Sequence, residues 1–209
     1  MIRSMKFFAA LALLGSIIAM SGNTAAQDQT QQSLPSLKPD DRSLGKTDAP
    51  VVVFEYASMG CPHCGAFMNE KMGQVKTDWI DSGKVRWVFR DFPLDGLSLR
   101  AAALGRCLPP DKFFGFVDAV FHDQQKWVHM ADADAFHYVG SLGGMTSDQA
   151  DACIKNQQVV DYVTEERFTG EKTYGINMTP YFFVNGQRIA GNPDYPQLTQ
   201  VLKDAMPKP

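Results

Sequence analysis

Apolar residues dominate the stretch from Val51 to Tyr56, and a short turn then leads to a Cys-x-x-Cys pair formed by Cys61 and Cys64. A nearly continuous apolar run of this length is typical of a central strand in a parallel sheet that is covered on both faces. The pattern therefore predicts a strand that delivers two cysteines to the first turn of a helix. The helix is predicted because apolar residues recur at helical spacing, at Cys64, Phe67, Met68, Met72, Val75 and Trp79.

The first helix is predicted to end near Gly83, and a second strand is predicted from Lys84 to Arg90. Glycine is the usual residue at a helix end because it adopts the left-handed conformation without strain. A strand, a helix and a second strand in one sheet form a right-handed unit, so we expect the two strands to be parallel.

The region from about residue 97 to residue 174 has no strand pattern and is predicted to be helical. Apolar spacing fits one helix that carries Cys107 and another from Phe113 to Phe121. Thr146 begins a capping-box pattern, which predicts the start of a third helix that carries Cys153. This region is therefore interpreted as a helical insertion.

Strand patterns return near the C-terminus, where Tyr181–Val184 and Gln187–Ala190 flank the dipeptide Asn185-Gly186. Asn-Gly between apolar runs is the strongest short-range signal for a β-hairpin. An amphipathic helix is predicted around residues 198–202. The sequence thus predicts an α/β fold in which the helical insertion separates a βαβ half from a ββα half.

The N-terminus has the pattern of a secretory signal peptide over residues 1–26. Arg3 and Lys6 precede an apolar stretch over residues 7–20, and small residues precede Gln27. The alternative is an uncleaved anchor, but the apolar stretch is shorter than the roughly 20 residues that span a bilayer. Residues 27–43 are polar and are predicted to be a flexible leader before a domain at residues 44–206.

Composition narrows the class of protein. The chain has 209 residues and a hydrophobic content of 44%, which fits one globular domain with an ordinary core. Without residues 1–26 it carries 18 basic and 23 acidic residues, a net charge of −5, and no basic run. Nucleic acid is therefore not an expected partner.

The four cysteines suit two disulfides in an oxidising compartment. A Cys-x-x-Cys pair can also be half of a zinc site, but structural zinc takes four ligands, and Cys107 and Cys153 lie far from the pair. A strand before the pair and a helix after it favour redox chemistry, so no metal site is expected. We predict a structural disulfide between Cys107 and Cys153; two buried free thiols are the alternative.

Taken together, the signal peptide, the strand before Cys61-Pro62-His63-Cys64, the helical insertion and the Thr179-Pro180 pair before the hairpin resemble the DsbA-like thiol–disulfide oxidoreductases of the thioredoxin superfamily. The resemblance covers about residues 44–206. The second cysteine pair and the threonine before the proline resemble the alphaproteobacterial branch of that family. The resemblance implies a thioredoxin fold with a helical insertion.

The resemblance also implies roles for individual residues. Cys61 corresponds to the nucleophile and Cys64 to the resolving thiol, while Glu55 matches a buried acid that exchanges a proton with the resolving thiol. Thr179 and Pro180 match a cis-proline loop that offers its backbone to a peptide substrate.

The residues themselves support some of these roles. A helix N-terminus favours a thiolate at Cys61, Pro62 suits the first helical turn, and His63 is expected to stabilise the thiolate by charge or hydrogen bonding. The alternatives are a structural Cys61–Cys64 disulfide, a solvated His63, a Glu55 at a solvated strand end and a trans Pro180.

The expected function is that of an oxidase that donates the Cys61–Cys64 disulfide to newly secreted proteins in the periplasm, through a mixed disulfide at Cys61. No cofactor other than that disulfide is expected, and the protein is expected to be a monomer that is reoxidised by a DsbB-like membrane partner. One alternative is a disulfide isomerase or reductase of the same fold. Another is a redox-inert binding module or a metal carrier.

Overall fold

The predicted central strand is β2, Val51–Ala57, in the computed structural model, which describes residues 33–208. Its neighbours in the five-stranded sheet of the described residues follow the order β1-β3-β2-β4-β5. The strands are β1 Arg42–Leu44, β3 Val85–Asp91, β4 Tyr181–Val184 and β5 Gln187–Ala190. The predicted signal peptide and the first residues of the predicted leader lie outside the described residues.

The pairing of β2 confirms the predicted fold class. β2 runs parallel to β3, with Val51 opposite Val85, and antiparallel to β4, with Val53 opposite Val184. β5 pairs with β4 across the predicted hairpin. Asn185 and Gly186 both have positive φ angles, 44° and 94°, as a two-residue hairpin turn of this type requires.

The helix after the cysteines is shorter than predicted. It is α1, Pro62–Glu70, and it is interrupted at Lys71 before α2, Met72–Val75, and a π-helical turn, Lys76–Ile80. The apolar stripe nevertheless stays on one side, because Met72, Val75 and Trp79 are buried in the same core as α1. Gly83, the predicted helix end, has a φ of 77°.

The predicted helical insertion consists of six α-helices and one short 3-10 turn, and α9 follows the hairpin. The capping box predicted at Thr146 is present and begins α7. Sequence analysis did not single out α5 or α6. The bounds are α3 Gly96–Cys107, the 3-10 turn Pro110–Lys112, α4 Phe113–His122, α5 Gln124–Trp127, α6 Asp132–Leu142, α7 Ser147–Lys155, α8 Gln157–Lys172 and α9 Tyr195–Ala205.

The prediction of a flexible leader through residue 43 is wrong at its C-terminal end. Arg42–Leu44 form β1, which pairs antiparallel with β3 at the edge of the sheet. The residues just before β1 are held by Arg90, whose buried guanidinium needs an anionic partner. Asp41 supplies it, with Oδ1 2.6 Å from Nε and Oδ2 2.9 Å from Nη2. The domain therefore begins before residue 44.

The sheet separates two apolar clusters. The larger cluster contains Val53 and Ala57 of β2 together with Cys64 and Phe67 of α1, whereas Phe54 and Tyr56 belong to the smaller cluster. Side chains alternate between the faces of a strand. Glu55 therefore faces the side of the sheet that carries α1 and both active-site cysteines. No helix among residues 33–208 is long and apolar enough to cross a membrane.

Candidate active site

The start of α1 places the two thiols. Cys61 occupies the N-cap position with extended backbone angles, φ −76° and ψ 122°, and Pro62 follows in the first turn. Proline fits there because the first N–H groups of a helix have no intrahelical acceptor. The Cys61 carbonyl accepts from the Gly65 N–H at 3.0 Å, which closes the first turn.

The two thiols differ in access. Both are free, and Cys61 is 6% exposed whereas Cys64 is 0% exposed. Because exchange requires contact with another sulfur, Cys61 is the thiol that a substrate can reach.

The two thiols also differ in acidity. The pKa of Cys61 is lowered to about 5, first by a hydrogen bond with the Cys64 thiol and then by the Thr179 side chain and the backbone N–H groups of Cys64 and His63, against an opposing effect of burial. The pKa of Cys64 is raised, mainly by burial and also by the interaction with Cys61. Near neutral pH the pair therefore holds one thiolate, on Cys61, and one proton, on Cys64.

The middle residues of the motif, Pro62 and His63, are exposed. His63 contributes to the low pKa of Cys61 through its backbone N–H group. A role of the imidazole ring stays a prediction, because the ring lies at the surface.

Thr179 and Pro180 lie next to Cys61. The peptide bond between them is cis, and Sγ of Cys61 lies 3.4 Å from the Thr179 carbonyl oxygen, to which the thiol donates when it is protonated. The Thr179 hydroxyl is buried and forms no hydrogen bond of standard geometry among the described residues, but its interaction with the Cys61 sulfur lowers the pKa of that thiol. The loop before β4 thus presents both a carbonyl and a hydroxyl to the reactive sulfur.

Glu55 does not lie at a solvated strand end, because it is 0% exposed in the middle of β2. Its Oε2 accepts from the indole Nε1 of Trp87 at 2.8 Å, and its Oε1 has no partner among the described residues. Burial raises the pKa of Glu55 to about 7, and the Trp87 hydrogen bond limits the rise. The acid can therefore hold or release a proton near neutral pH; exchange with Cys64 stays a prediction.

The second cysteine pair is joined. Cys107 of α3 and Cys153 of α7 form a disulfide with an S–S distance of 2.06 Å and a Cα–Cα distance of 6.1 Å. The bond cross-links two helices of the insertion and leaves the active-site pair as free thiols. Among residues 33–208, no group of three or more His, Cys, Asp or Glu side chains could hold a metal ion.

Sequence reasoning missed two polar residues that support the site. Trp87 falls within the strand predicted from Lys84 to Arg90, and no pattern in the sequence points to Gln124. Gln124 of α5 donates from Nε2 to the carbonyl oxygens of Met59 and Cys61. Neither residue belongs to a sequence motif, and each contacts residues that are distant in the sequence. No local sequence signal could therefore predict these contacts.

Comparison with known proteins is consistent with this geometry. A family model described as thioredoxin matches residues 37–204. A relative from Rickettsia bellii, named a putative protein-disulfide oxidoreductase, is 30% identical over 78% of this chain and 66% of its own length. Disulfide bond formation protein D of Bacillus subtilis is 28% identical over 87% of this chain and 82% of its own length.

A solved structure of a DsbA protein is also similar to this chain. The crystal structure of alpha-DsbA1 from Wolbachia pipientis is similar with a TM-score of 0.75 and 28% identity, over 81% of this chain and 92% of that one. These similarities confirm the DsbA-like resemblance. The chain spans just under two thirds of the length of the rickettsial relatives, 66% for Rickettsia bellii and 62% for Rickettsia prowazekii.

Proposed function

Because this chain belongs to the thioredoxin family, we propose that it is a protein thiol–disulfide oxidoreductase that acts as an oxidase of reduced secreted proteins. The observation that carries the proposal is the asymmetry of the two thiols. Cys61 is the more exposed and the more acidic thiol, whereas Cys64 is completely buried and keeps its proton. A dithiol that is stabilised as a thiolate favours the reduced state, which makes the corresponding disulfide a strong electron acceptor.

The reaction begins with the oxidised pair. A substrate thiolate attacks Sγ of Cys61, a mixed disulfide forms, and the Cys61–Cys64 bond breaks with Cys64 as the leaving thiolate. Cys64 then takes up a proton, for which Glu55 on the same face of the sheet is the proposed donor. A second substrate thiolate attacks the substrate sulfur of the mixed disulfide and releases the Cys61 thiolate. The substrate dithiol loses two electrons and the active-site disulfide gains them.

The low pKa of Cys61 supports its role as the final leaving group. A thiol with a low pKa leaves faster from a disulfide. The mixed disulfide is therefore resolved by loss of Cys61 rather than by loss of a substrate thiolate, whose free pKa is about 8.5.

The loop at Thr179 is the proposed peptide-binding edge. Its carbonyl already lies at hydrogen-bond distance from Cys61, and an extended peptide can pair with exposed backbone groups as an added strand. Backbone pairing reads no particular side chain, which suits an enzyme that must accept many unfolded chains.

The proposed setting is the periplasm, which follows from the predicted signal peptide and an oxidising chemistry. A dithiol left after each turnover must be reoxidised, and a DsbB-like membrane partner is proposed for that step. The chain is proposed to act as a monomer.

A redox titration of Cys61 and Cys64 against glutathione tests the oxidase. The expected result is that glutathione readily reduces the active-site disulfide. The equilibrium constant for this reduction should exceed that of a typical structural disulfide by several powers of ten. A pair that stays oxidised under the same conditions would support the reductase instead. A second assay measures oxidative refolding of a reduced protein, in which Cys61→Ser should abolish activity.

A further inference from the structure

Gln124 connects the helical insertion to the active-site turn. It is the first residue of α5 and is 3% exposed. Its Nε2 lies 2.7 Å from the Met59 carbonyl oxygen and 2.9 Å from the Cys61 carbonyl oxygen. A single amide group thus spans the turn that joins β2 to α1.

Both hydrogens of this amide are used. A buried amide is costly unless its hydrogen bonds are formed, so Gln124 has a strong preference for the geometry in which it meets both carbonyls. The Cys61 carbonyl also accepts from the Gly65 N–H at 3.0 Å. It is therefore fixed from two directions, by its own helix and by the insertion.

The sequence of α1 leaves room for this contact. A Cβ atom at Gly65 would lie 2.3 Å from Gln124 Oε1, which is far inside the contact distance. Glycine is a poor helix former, and its presence in the first turn of α1 is explained by the close approach of the Gln124 amide.

We propose that Gln124 is a positioning residue that holds the Cys61 carbonyl, and with it the first turn of α1, in the arrangement where the backbone N–H groups of His63 and Cys64 face the reactive sulfur. Gln124 acts through the backbone and has no role in contacting substrate. The consequence for oxidising strength rests on the proposed function, whereas the consequence for thiolate stability does not.

The test is Gln124→Met, which keeps the side-chain length and removes both donors. Loss of the two Gln124 hydrogen bonds should raise the pKa of Cys61 by about one unit. This corresponds to losing thiolate stabilisation equal to the net free energy of about one hydrogen bond. The measurement is the pH dependence of the thiolate ultraviolet absorbance in the reduced protein. The glutathione equilibrium should shift about tenfold toward the protein disulfide.

The matched control is Trp127→Phe. Trp127 lies in the same short helix, and its indole N–H donates to the Val120 carbonyl at 2.9 Å rather than to a carbonyl of the active-site turn. It should lower the unfolding midpoint and leave the pKa of Cys61 unchanged. If Gln124 had only a structural role, Gln124→Met would behave like Trp127→Phe, with a lower unfolding midpoint and an unchanged pKa of Cys61.

A second variant keeps the proposal testable if Gln124→Met does not fold. Gly65→Ala pushes against the Gln124 amide from α1 and should also raise the pKa of Cys61, although alanine favours the helix. A folded Gln124→Met or Gly65→Ala protein with an unchanged pKa of Cys61 overturns the inference. If the pKa of Cys61 rises in the variants and the parent protein proves to be a poor oxidant, the inference is supported. Only the proposed function is then contradicted.

Discussion

The sulfur of Cys61 lies 3.4 Å from the carbonyl oxygen of Thr179, although the two residues are 118 positions apart in the chain. The sheet order accounts for this contact. Because β2 and β4 are antiparallel neighbours, with Tyr56 opposite Tyr181, the turn that follows β2 and the loop that precedes β4 lie at the same end of the sheet. The fold itself brings the thiol and the proposed peptide-binding loop together.

Thr179→Val is predicted to make Cys61 less acidic. The Thr179 side chain is one of the groups that lower the pKa of Cys61, and valine has the same shape without the hydroxyl. The thiolate is then less stable, so the reduced form is disfavoured and the glutathione equilibrium should shift toward the protein disulfide. The measurements are thiolate absorbance against pH and the glutathione titration.

Thr179→Ser is the control for this substitution, because it keeps a hydroxyl at the same position. It should retain most of the pKa depression of Cys61. If Thr179→Val titrates like the parent protein, the hydroxyl does not stabilise the thiolate, and the contact at Cys61 is limited to the backbone carbonyl.

The substitution Glu55→Gln is predicted to stabilise the folded protein, relative to the parent, by an amount that increases as the pH rises. Below about pH 4.5 the carboxyl is protonated in both folded and unfolded protein, so its ionisation has no effect. Between there and about pH 7 the unfolded state has lost the proton that the folded state still holds, which lowers the parent protein's stability by about 1.4 kcal/mol per pH unit.

Glutamine stays neutral and keeps an oxygen that can accept from Trp87. The free energy of unfolding of Glu55→Gln, relative to the parent, should therefore be higher at pH 8 than at pH 4 by about 3 kcal/mol. Urea denaturation of both reduced proteins at the two pH values measures this. A difference that does not change with pH would mean that the buried carboxyl ionises normally.

The disulfide between Cys107 and Cys153 is predicted to be a major contribution to stability. It closes a loop between residues that are 46 positions apart, and the chain-entropy model gives about 4 kcal/mol for a loop of this size. Replacing both residues by alanine should lower the free energy of unfolding by about that amount, as measured by urea denaturation. Mass spectrometry after alkylation under non-reducing conditions is the check on the parent: two labelled thiols at these positions would contradict the disulfide.

Local signals account for the parts of the fold that could be predicted. The hairpin follows from Asn185 and Gly186, and the start of α7 follows from the capping box at Thr146, because in both cases the partners lie within a few residues of each other. β1 is different. It has three residues and draws its hydrogen bonds from β3, which comes more than 40 residues later. Nothing in its own sequence marks it as a strand.

The same distinction applies to the site. The pair Cys61 and Cys64 forms a motif, so its position at a helix start could be predicted from the sequence. The groups that support this pair are distant from it in the sequence. Trp87 donates to Glu55 from the neighbouring strand, and Gln124 of the insertion donates to the active-site turn. Such contacts need the three-dimensional fold before they can be identified.

Asp41→Ala is predicted to destabilise the protein strongly. The Arg90 side chain is 0% exposed and the Asp41 side chain 1% exposed, and their shortest contact is 2.6 Å. Removing one member of a buried ion pair leaves a buried charge without its partner, although Glu166 lies 3.3 Å from Arg90 and compensates in part. The free energy of unfolding should fall by about 3 kcal/mol.

Asp132→Ala is the matched control for that substitution. Asp132 pairs with Arg100 at 3.1 Å, but its side chain is 81% exposed. An exposed pair contributes about 1 kcal/mol or less. Equal losses in the two variants would show that Asp41 does not hold the N-terminal segment against the domain.

The final prediction is that the reduced protein is more stable than the oxidised protein near pH 7, and that this difference depends on pH. The folded protein lowers the pKa of Cys61 to about 5, whereas an unfolded cysteine has a pKa near 8.5. The stabilisation of the folded thiolate is therefore complete above about pH 8.5 and is lost as the pH falls through 5. Calorimetry of both redox forms should show a larger Tm difference at pH 7 than at pH 4. An oxidised form with the higher Tm at pH 7 would rule out a strongly oxidising disulfide, and the reductase would then be the better assignment.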